Sequence, residues 1–323
     1  MSGAFLRACV AGGACASLLL MPLNSTATPS ASGPAGVHVV RPRQNLTGFV
    51  KKTTQIPLAL VTPQMAENIG PGSHLLIEIP NAGTFGCTAN FIWTDGTTRY
   101  LGAAGHCFIP EGTTATHGPG ADFNASGVTV SVCVSGCAFG GETGFTITGT
   151  LVTLGTVAYA RQTAADGDIG NDFGVVRIPA SLAAMVRTSM PVFGGPTTTA
   201  EVQQGQPLCH YGNGVAVGET FLTMARAGVG GGSTPAYWLG DLAAAPGDSG
   251  SAVVTCESDG SGGLQGRGAA GVLTHLGVEV NPPGIDIGSG TVTAQQGYVF
   301  GTTTARAIEM AREAGLTLAV VFD

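Results

Sequence analysis

Ser249 lies in the stretch "APGDSGSAVV", between Gly247 and Gly250. A serine hydroxyl is a weak nucleophile until a neighbouring base takes its proton, and that base needs a third group to orient it. If Ser249 performs nucleophilic chemistry, the rest of the chain must therefore supply a base and a carboxylate. The alternative is that Ser249 is only a residue of a tight turn.

His106 is the candidate base, because it follows an apolar strand and small residues in "YLGAAGHC". Cys107 would fix the adjacent backbone if it is bridged, and a catalytic base must be held within hydrogen-bond reach of the nucleophile. The alternative is a histidine satisfied at a strand end. The chain has five other histidines: His38, His74, His117, His210 and His275.

The candidate orienting acid comes from "DGDIGNDFGVVRI", which offers Asp166, Asp168 and Asp172. Only Asp172 directly precedes a run, "FGVVRI", whose apolar residues predict a buried strand; the other two lie in a glycine loop. The order His106, Asp172, Ser249 places the three residues far apart in the chain, so strands from different regions must bring them together.

The elements that could position these residues are short strands. Threonine and valine are frequent and form short β-rich runs, and the 52 glycines, with other turn residues, separate these runs. Only residues 302–315, "TTTARAIEMAREAG", have helical character, with threonine caps at the start and Gly315 at the stop. Two sets of about six short strands predict paired antiparallel barrels.

The composition excludes several functions. The formal charge is −7, and clustered lysine and arginine for phosphate neutralisation are missing, so we expect no nucleic-acid partner. No phosphate-binding or dinucleotide-binding glycine motif occurs, and no CxxC pair offers a zinc site, so we expect neither cofactor nor metal.

The N-terminus predicts export. Residues 1–27 have the pattern of a signal peptide, with Arg7, an apolar run and small residues at a cleavage site. The alternative, a transmembrane anchor, needs about 20 apolar residues, more than this run provides. We expect residues 28–69 to form an extended arm, 70–185 a first barrel and 186–323 a second, in a secreted protein that is not bound to a membrane. Six cysteines would remain, an even number that suggests three disulfides.

Three motifs, "GAAGHC", "NDFGVVRI" and "PGDSGSAVV", resemble those of chymotrypsin-like (trypsin-like) serine peptidases, especially exported bacterial members such as the streptogrisins. The likeness runs from about Ile69 to the C-terminus. It implies an all-β fold of two packed antiparallel six-stranded β-barrels with a C-terminal helix, and an exported, monomeric serine endopeptidase that acts on peptides or proteins. The order of the motifs distinguishes the chain from α/β-hydrolases, in which the nucleophile comes first.

The resemblance also assigns roles. Ser249 would attack the peptide carbonyl, His106 would transfer its proton, Asp172 would orient the imidazole, and the backbone N–H groups of Gly247 and Ser249 would bind the oxyanion. It implies Cys87–Cys107 and Cys209–Cys256 disulfides, which leaves Cys133 and Cys137 as a local pair.

Family members hold the aspartate before the nucleophile, here Asp248, with a cation. His210 stands where the bacterial relatives have an arginine, so a His210–Asp248 contact is one possibility and an ordinary surface histidine is the other.

The predicted substrate pocket is formed by Ala243, Thr274, His275 and Leu276. Ala243 stands where trypsin-type enzymes carry an aspartate, so a preference for lysine or arginine is not expected. Leu276 favours small or medium apolar side chains, whereas His275 could meet an acidic one. Two rival functions remain: an inactive relative that serves as a binding module, and an esterase on the same fold.

Overall fold

The computed structural model describes residues 37–40, 65–110, 115–117, 127–140, 146–162, 169–214, 224–286, 291–293 and 298–323. The predicted signal peptide lies outside the described residues, as does most of the predicted arm. Of the arm, residues 37–40 form a strand, and Met65, Ala66 and Ile69 are buried in the core.

The fold is all-β, as the sequence predicted, with one α-helix in the described part of the chain. In chain order the strands are β1 Val37–Val40, β2 His74–Ile79, β3 Gly83–Thr88, β4 Ile92–Thr94, β5 Arg99–Ala103, β6 Ala115–His117, β7 Thr129–Gly140, β8 Thr146–Thr153, β9 Val157–Gln162, β10 Asp172–Arg177, β11 Thr198–Thr199, β12 Pro207–Tyr211, β13 Ala225–Ser233, β14 Tyr237–Leu242, β15 Ala252–Ser258, β16 Leu264–Asp286, β17 Thr291–Thr293, β18 Tyr298–Thr303 and β19 Ala319–Val320; the helix α1 is Thr304–Glu313.

The second half of the chain, β11 to β18, contains a closed ring of six antiparallel strands. Its order is β16-β15-β12-β13-β14-β18, and β18 pairs again with β16 to complete the ring. Closure leaves these strands without open edges over the paired length. The predicted six-stranded barrel is therefore present in this half.

The first half, β2 to β10, is built from two sheets. One has the order β3-β2-β7-β8 and the other β19-β4-β5-β10-β9-β6. One strand of this second sheet, β19, comes from the C-terminal end of the chain and pairs with β4. One hydrophobic cluster contains residues of both halves, so the two halves pack as one body.

Helix α1 links the second half back to the first. The Thr303 hydroxyl accepts a hydrogen bond from the Arg306 N–H at 3.1 Å, which caps the N-terminus. Gly315 follows the helix with φ +85°, as a glycine stop signal requires. The buried face of α1 carries Ala307, Met310 and Ala311 into the shared core.

Candidate active site

His106 is held by a short 3₁₀ helix, Gly105–Cys107, that follows β5. A Cβ on Gly105 would lie 2.0 Å from the Arg161 carbonyl oxygen, so only glycine allows this turn to approach β9 so closely. The Cys87–Cys107 disulfide ties the next residue to β3. The histidine backbone is thus fixed on both sides.

Asp172, the first residue of β10, meets His106 through both carboxylate oxygens. Oδ2 lies 2.7 Å from His106 Nδ1, and Oδ1 accepts a hydrogen bond from the His106 backbone N–H at 2.9 Å. The Thr302 hydroxyl of β18 donates to the Asp172 carbonyl oxygen at 2.9 Å. Both members of the pair are buried, with 2% of His106 and none of Asp172 exposed.

This contact fixes the tautomer of the imidazole. An ionised carboxylate can only accept hydrogen bonds, so His106 Nδ1 carries the proton that points to Asp172. In the neutral ring Nε2 then has the lone pair and can take a proton. The carboxylate would stabilise the resulting imidazolium, as in Ser-His-Asp sites.

Ser249 lies on a turn that docks against the segment carrying His106. Thr88 holds this turn twice: its N–H donates to the Ser249 carbonyl and its hydroxyl to the Gly247 carbonyl, each at 2.9 Å. Cys107 Sγ is 3.8 Å from the Ser249 carbonyl oxygen. The structure therefore brings Ser249 to the same disulfide that anchors His106.

The conformation of the turn depends on glycine before the serine. Gly247 has φ +101°, a region that residues with a Cβ rarely adopt. After the serine, the Gly250 N–H donates to the Leu273 carbonyl of β16 at 2.7 Å. Backbone N–H groups around Ser249 are thus held in a fixed arrangement.

Asp248 is paired with Arg226, so neither possibility for His210 holds: it does not supply the cation for Asp248, and it is buried rather than at the surface. The Arg226 guanidinium of β13 forms a buried ion pair with Asp248. Asp248 also accepts backbone hydrogen bonds from Gly214 and Ala245, both at 2.7 Å. Burial lowers the pKa of Arg226, and the carboxylate of Asp248 opposes that shift.

His210 fails as the cation because its buried ring stays neutral beside Arg226. The pKa of His210 is lowered to about 4, chiefly by burial; Asp248 raises it and Arg226 adds to the lowering. The ring lies instead 2.7 Å from the Ala243 carbonyl oxygen and 3.2 Å from Ser251 Oγ. The only sequence signal for Arg226 was a single charge in the apolar run "LTMARAG".

The predicted pocket residues Ala243, Thr274, His275 and Leu276 are all buried. Thr274 Oγ1 and His275 Nδ1 share a hydrogen bond of 2.7 Å. Leu276 pairs with Val299 of β18 on one side and with Val40 of β1 on the other. The N-terminal strand β1 therefore lies along β16 beside these residues, and Ser249 is itself fully buried.

The six remaining cysteines form the expected pairs. Cys87 bonds to Cys107, Cys209 to Cys256, and Cys133 to Cys137. The last pair joins two residues of β7 that are four positions apart, where the β7–β8 register shifts. The rejected acids Asp166 and Asp168 lie outside the described residues.

The described residues contain no group of three or more His, Cys, Asp or Glu side chains that could hold a metal ion. Within the same ranges, no helix is long and apolar enough to cross a membrane.

No protein-family model matches the chain, and no curated protein matches it. Solved structures do. Thermobifida fusca protease A is 19% identical over 78% of this chain and 99% of its own, with a TM-score of 0.41. Protease Anisep from Arthrobacter nicotinovorans is 16% identical over 75% and 91%, with a TM-score of 0.44. Cellulomonas bogoriensis chymotrypsin is 17% identical over 79% and 99%, with a TM-score of 0.40. All three are bacterial proteases, and the three sequence motifs resemble those of bacterial serine peptidases.

Proposed function

We propose that the chain is an exported serine endopeptidase in which Ser249, His106 and Asp172 form the catalytic triad. The observation that carries the proposal is the double hydrogen bond from His106 to Asp172 at 2.7 and 2.9 Å, beside the turn that bears Ser249. A buried carboxylate fixed in this way gives the imidazole the tautomer that a general base needs.

In the proposed reaction His106 Nε2 takes the proton of the Ser249 hydroxyl as Oγ attacks the carbonyl carbon of the peptide. A tetrahedral intermediate forms, and His106 then gives its proton to the leaving amine as the C–N bond breaks. Water, activated by the same histidine, hydrolyses the acyl-enzyme and regenerates Ser249.

The backbone N–H groups of Gly247 and Ser249 are the proposed oxyanion donors. The positive φ of Gly247 and the two hydrogen bonds from Thr88 support this role, because preorganised donors need no rearrangement as charge develops. Asp248 supports it as well, since its pairing with Arg226 anchors the centre of the turn.

Export is supported by the three disulfides, since such bonds persist in oxidising compartments. The proposed side-chain preference is for small or medium apolar residues, because Ala243 offers no charge and Leu276 is bulky. A preference for acidic residues through His275 is the alternative within the same site.

The test is hydrolysis of matched peptide and ester substrates that carry alanine, valine, leucine, glutamate or lysine before the scissile bond. We expect turnover of the peptides, fastest for the apolar residues, and its loss in Ser249→Ala. Turnover of the esters alone would identify an esterase. Binding of peptides without turnover would identify an inactive relative.

A further inference from the structure

His210 connects the two ends of the turn that carries Ser249. Ala243 follows directly on β14, and Ser251 directly precedes β15, so these residues are the stems of the loop 243–251. His210 projects from β12, fully buried, and its ring contacts the Ala243 carbonyl at 2.7 Å and Ser251 Oγ at 3.2 Å. One imidazole therefore spans the loop from stem to stem.

The direction of both hydrogen bonds follows from the acceptors. A carbonyl oxygen can only accept, so His210 Nε2 carries the proton and donates to Ala243. The ring is neutral near pH 7 because burial lowers its pKa to about 4. Nδ1 then has a lone pair and accepts a hydrogen bond from the Ser251 hydroxyl. Two charged groups face the ring: Arg226, which lowers the pKa, and Asp248, which raises it.

The middle of the loop is fixed by other contacts. Asp248 is held by Arg226, and its oxygens accept from Gly214 and Ala245. The Gly247 and Ser249 carbonyls are held by Thr88. These contacts restrain the centre of the loop, whereas the ring of His210 restrains the distance between its ends.

We propose that His210 is a positioning residue that clips the stems of the nucleophile loop together and so sets Ser249 against His106. The inference rests on the proposed function, because it gives the loop a catalytic task. Removal of the ring leaves the buried Ala243 carbonyl without its donor and lets the stems separate. The reaction then slows even though neither His106 nor Ser249 has changed.

Three variants separate the two arms of the clip, which are the hydrogen bond from His210 Nε2 to the Ala243 carbonyl and the one from the Ser251 hydroxyl to His210 Nδ1. His210→Leu keeps apolar volume but removes both hydrogen bonds. His210→Gln retains an N–H donor where Nε2 stands and can still reach Ala243. Ser251→Ala removes only the arm to Nδ1. Leu208→Ala is the matched control, because Leu208 is buried on the same strand but its apolar side chain cannot hydrogen-bond to the loop.

The measurement is the rate constant of covalent labelling by a fluorophosphonate, which reports the nucleophile without peptide contacts. Loss of both hydrogen bonds should slow labelling about tenfold or more in His210→Leu, and His210→Gln should recover most of that loss. The double variant with Ser251→Ala should be no slower than His210→Leu alone, since the two changes remove one shared arm. Leu208→Ala should label at the wild-type rate once corrected for its folded fraction.

Wild-type labelling in His210→Leu, or a loss no larger than that of Leu208→Ala, would overturn the clip. Amide hydrogen exchange tests the clip independently of activity. The N–H groups of Asp248, Gly250 and Ser251 donate within and beside the loop, and they should exchange faster in His210→Leu than in Leu208→Ala. A wild-type protein that takes no label would contradict the proposed function, and equal exchange in the two variants would contradict the clip.

Discussion

The two oxygens of Asp172 accept from two different donors of His106, the backbone N–H and the ring Nδ1. The backbone contact fixes the carboxylate in relation to the histidine, and the ring contact fixes the tautomer. Because Asp172 has no exposed surface, water does not compete for either oxygen. The position of Asp172 therefore requires a side chain with two hydrogen-bond acceptor atoms.

Asp172→Asn should lower kcat by about 10⁴-fold while the protein remains folded. The amide has only one acceptor oxygen. If that oxygen keeps the bond to the backbone N–H, the amide NH₂ faces Nδ1 and forces the proton onto Nε2. Asp259→Asn, at an exposed position between β15 and β16, is the control and should leave kcat unchanged. Equal losses in the two variants, or none in Asp172→Asn, would show that Asp172 is not the orienting acid.

At this scale the sequence could indicate His106, Asp172 and Ser249, because each lies in a local pattern of small residues, a strand start or a glycine turn. It could not indicate the partners of Thr88 and Arg226, which are distant in the chain and depend on strand register. His210 and Arg226 face each other across β12 and β13, and only the structure shows which of them reaches Asp248.

Among the elements, β16 has an edge whose partner changes near the candidate site. β15 pairs with β16 up to Val272 opposite Ala252, and the turn of Ser249 then leaves the sheet. Beyond Val272, β1 pairs with β16 instead, with Val40 opposite Leu276 and Val37 opposite Glu279. An extended peptide can bind such an edge by main-chain hydrogen bonds, so β1 and a substrate would compete for it.

Replacement of Val37–Val40 by glycine and serine in the full chain should therefore raise peptide turnover severalfold. Glycine and serine have low strand propensity, so β1 should leave the edge of β16 open. The same substitution in residues 28–31 is the control and should change nothing. If turnover in the β1 variant equals that of the wild type, β1 does not obstruct the substrate.

The sequence predicted the elements better than their arrangement. Glycine punctuation and β-branched runs indicated the strands, and the caps at Thr303 and Gly315 indicated the helix. The return of β19 to the first half and the division of that half into two sheets depend on long-range pairing. Strand periodicity alone does not encode such pairing.

At the scale of the molecule, burial disfavours the charged form of His74 and of His210 in the described part of the chain. Burial lowers the pKa of His74 and that of His210 to about 4 each. An unfolded histidine titrates near 6.5, so between these values the unfolded chain binds protons that the native state does not. Stability from these rings is complete above about pH 6.5 and is lost as the pH falls towards 4.

We expect the free energy of unfolding to fall between about pH 7 and about pH 4.5, by roughly 2–3 kcal/mol for each ring. Urea unfolding at the two pH values measures it. His74→Leu separates the contribution of one ring from that of the carboxylates, which also titrate. Between the two pH values the free energy of unfolding of this variant should fall by roughly 2–3 kcal/mol less than that of the wild type. An identical loss in both proteins would mean that His74 takes up its proton in the native state.

The most direct test of the central claim is covalent labelling of the intact protein by a fluorophosphonate, followed by peptide mapping of the adduct. The account predicts an adduct on Ser249 alone, formed faster as the pH rises through the titration of a histidine. Ser249→Ala should abolish the label and His106→Ala should nearly abolish it, although both turns remain. An adduct on Ser251, or labelling of His106→Ala at the wild-type rate, would contradict the account and leave Ser249 as a residue of a tight turn.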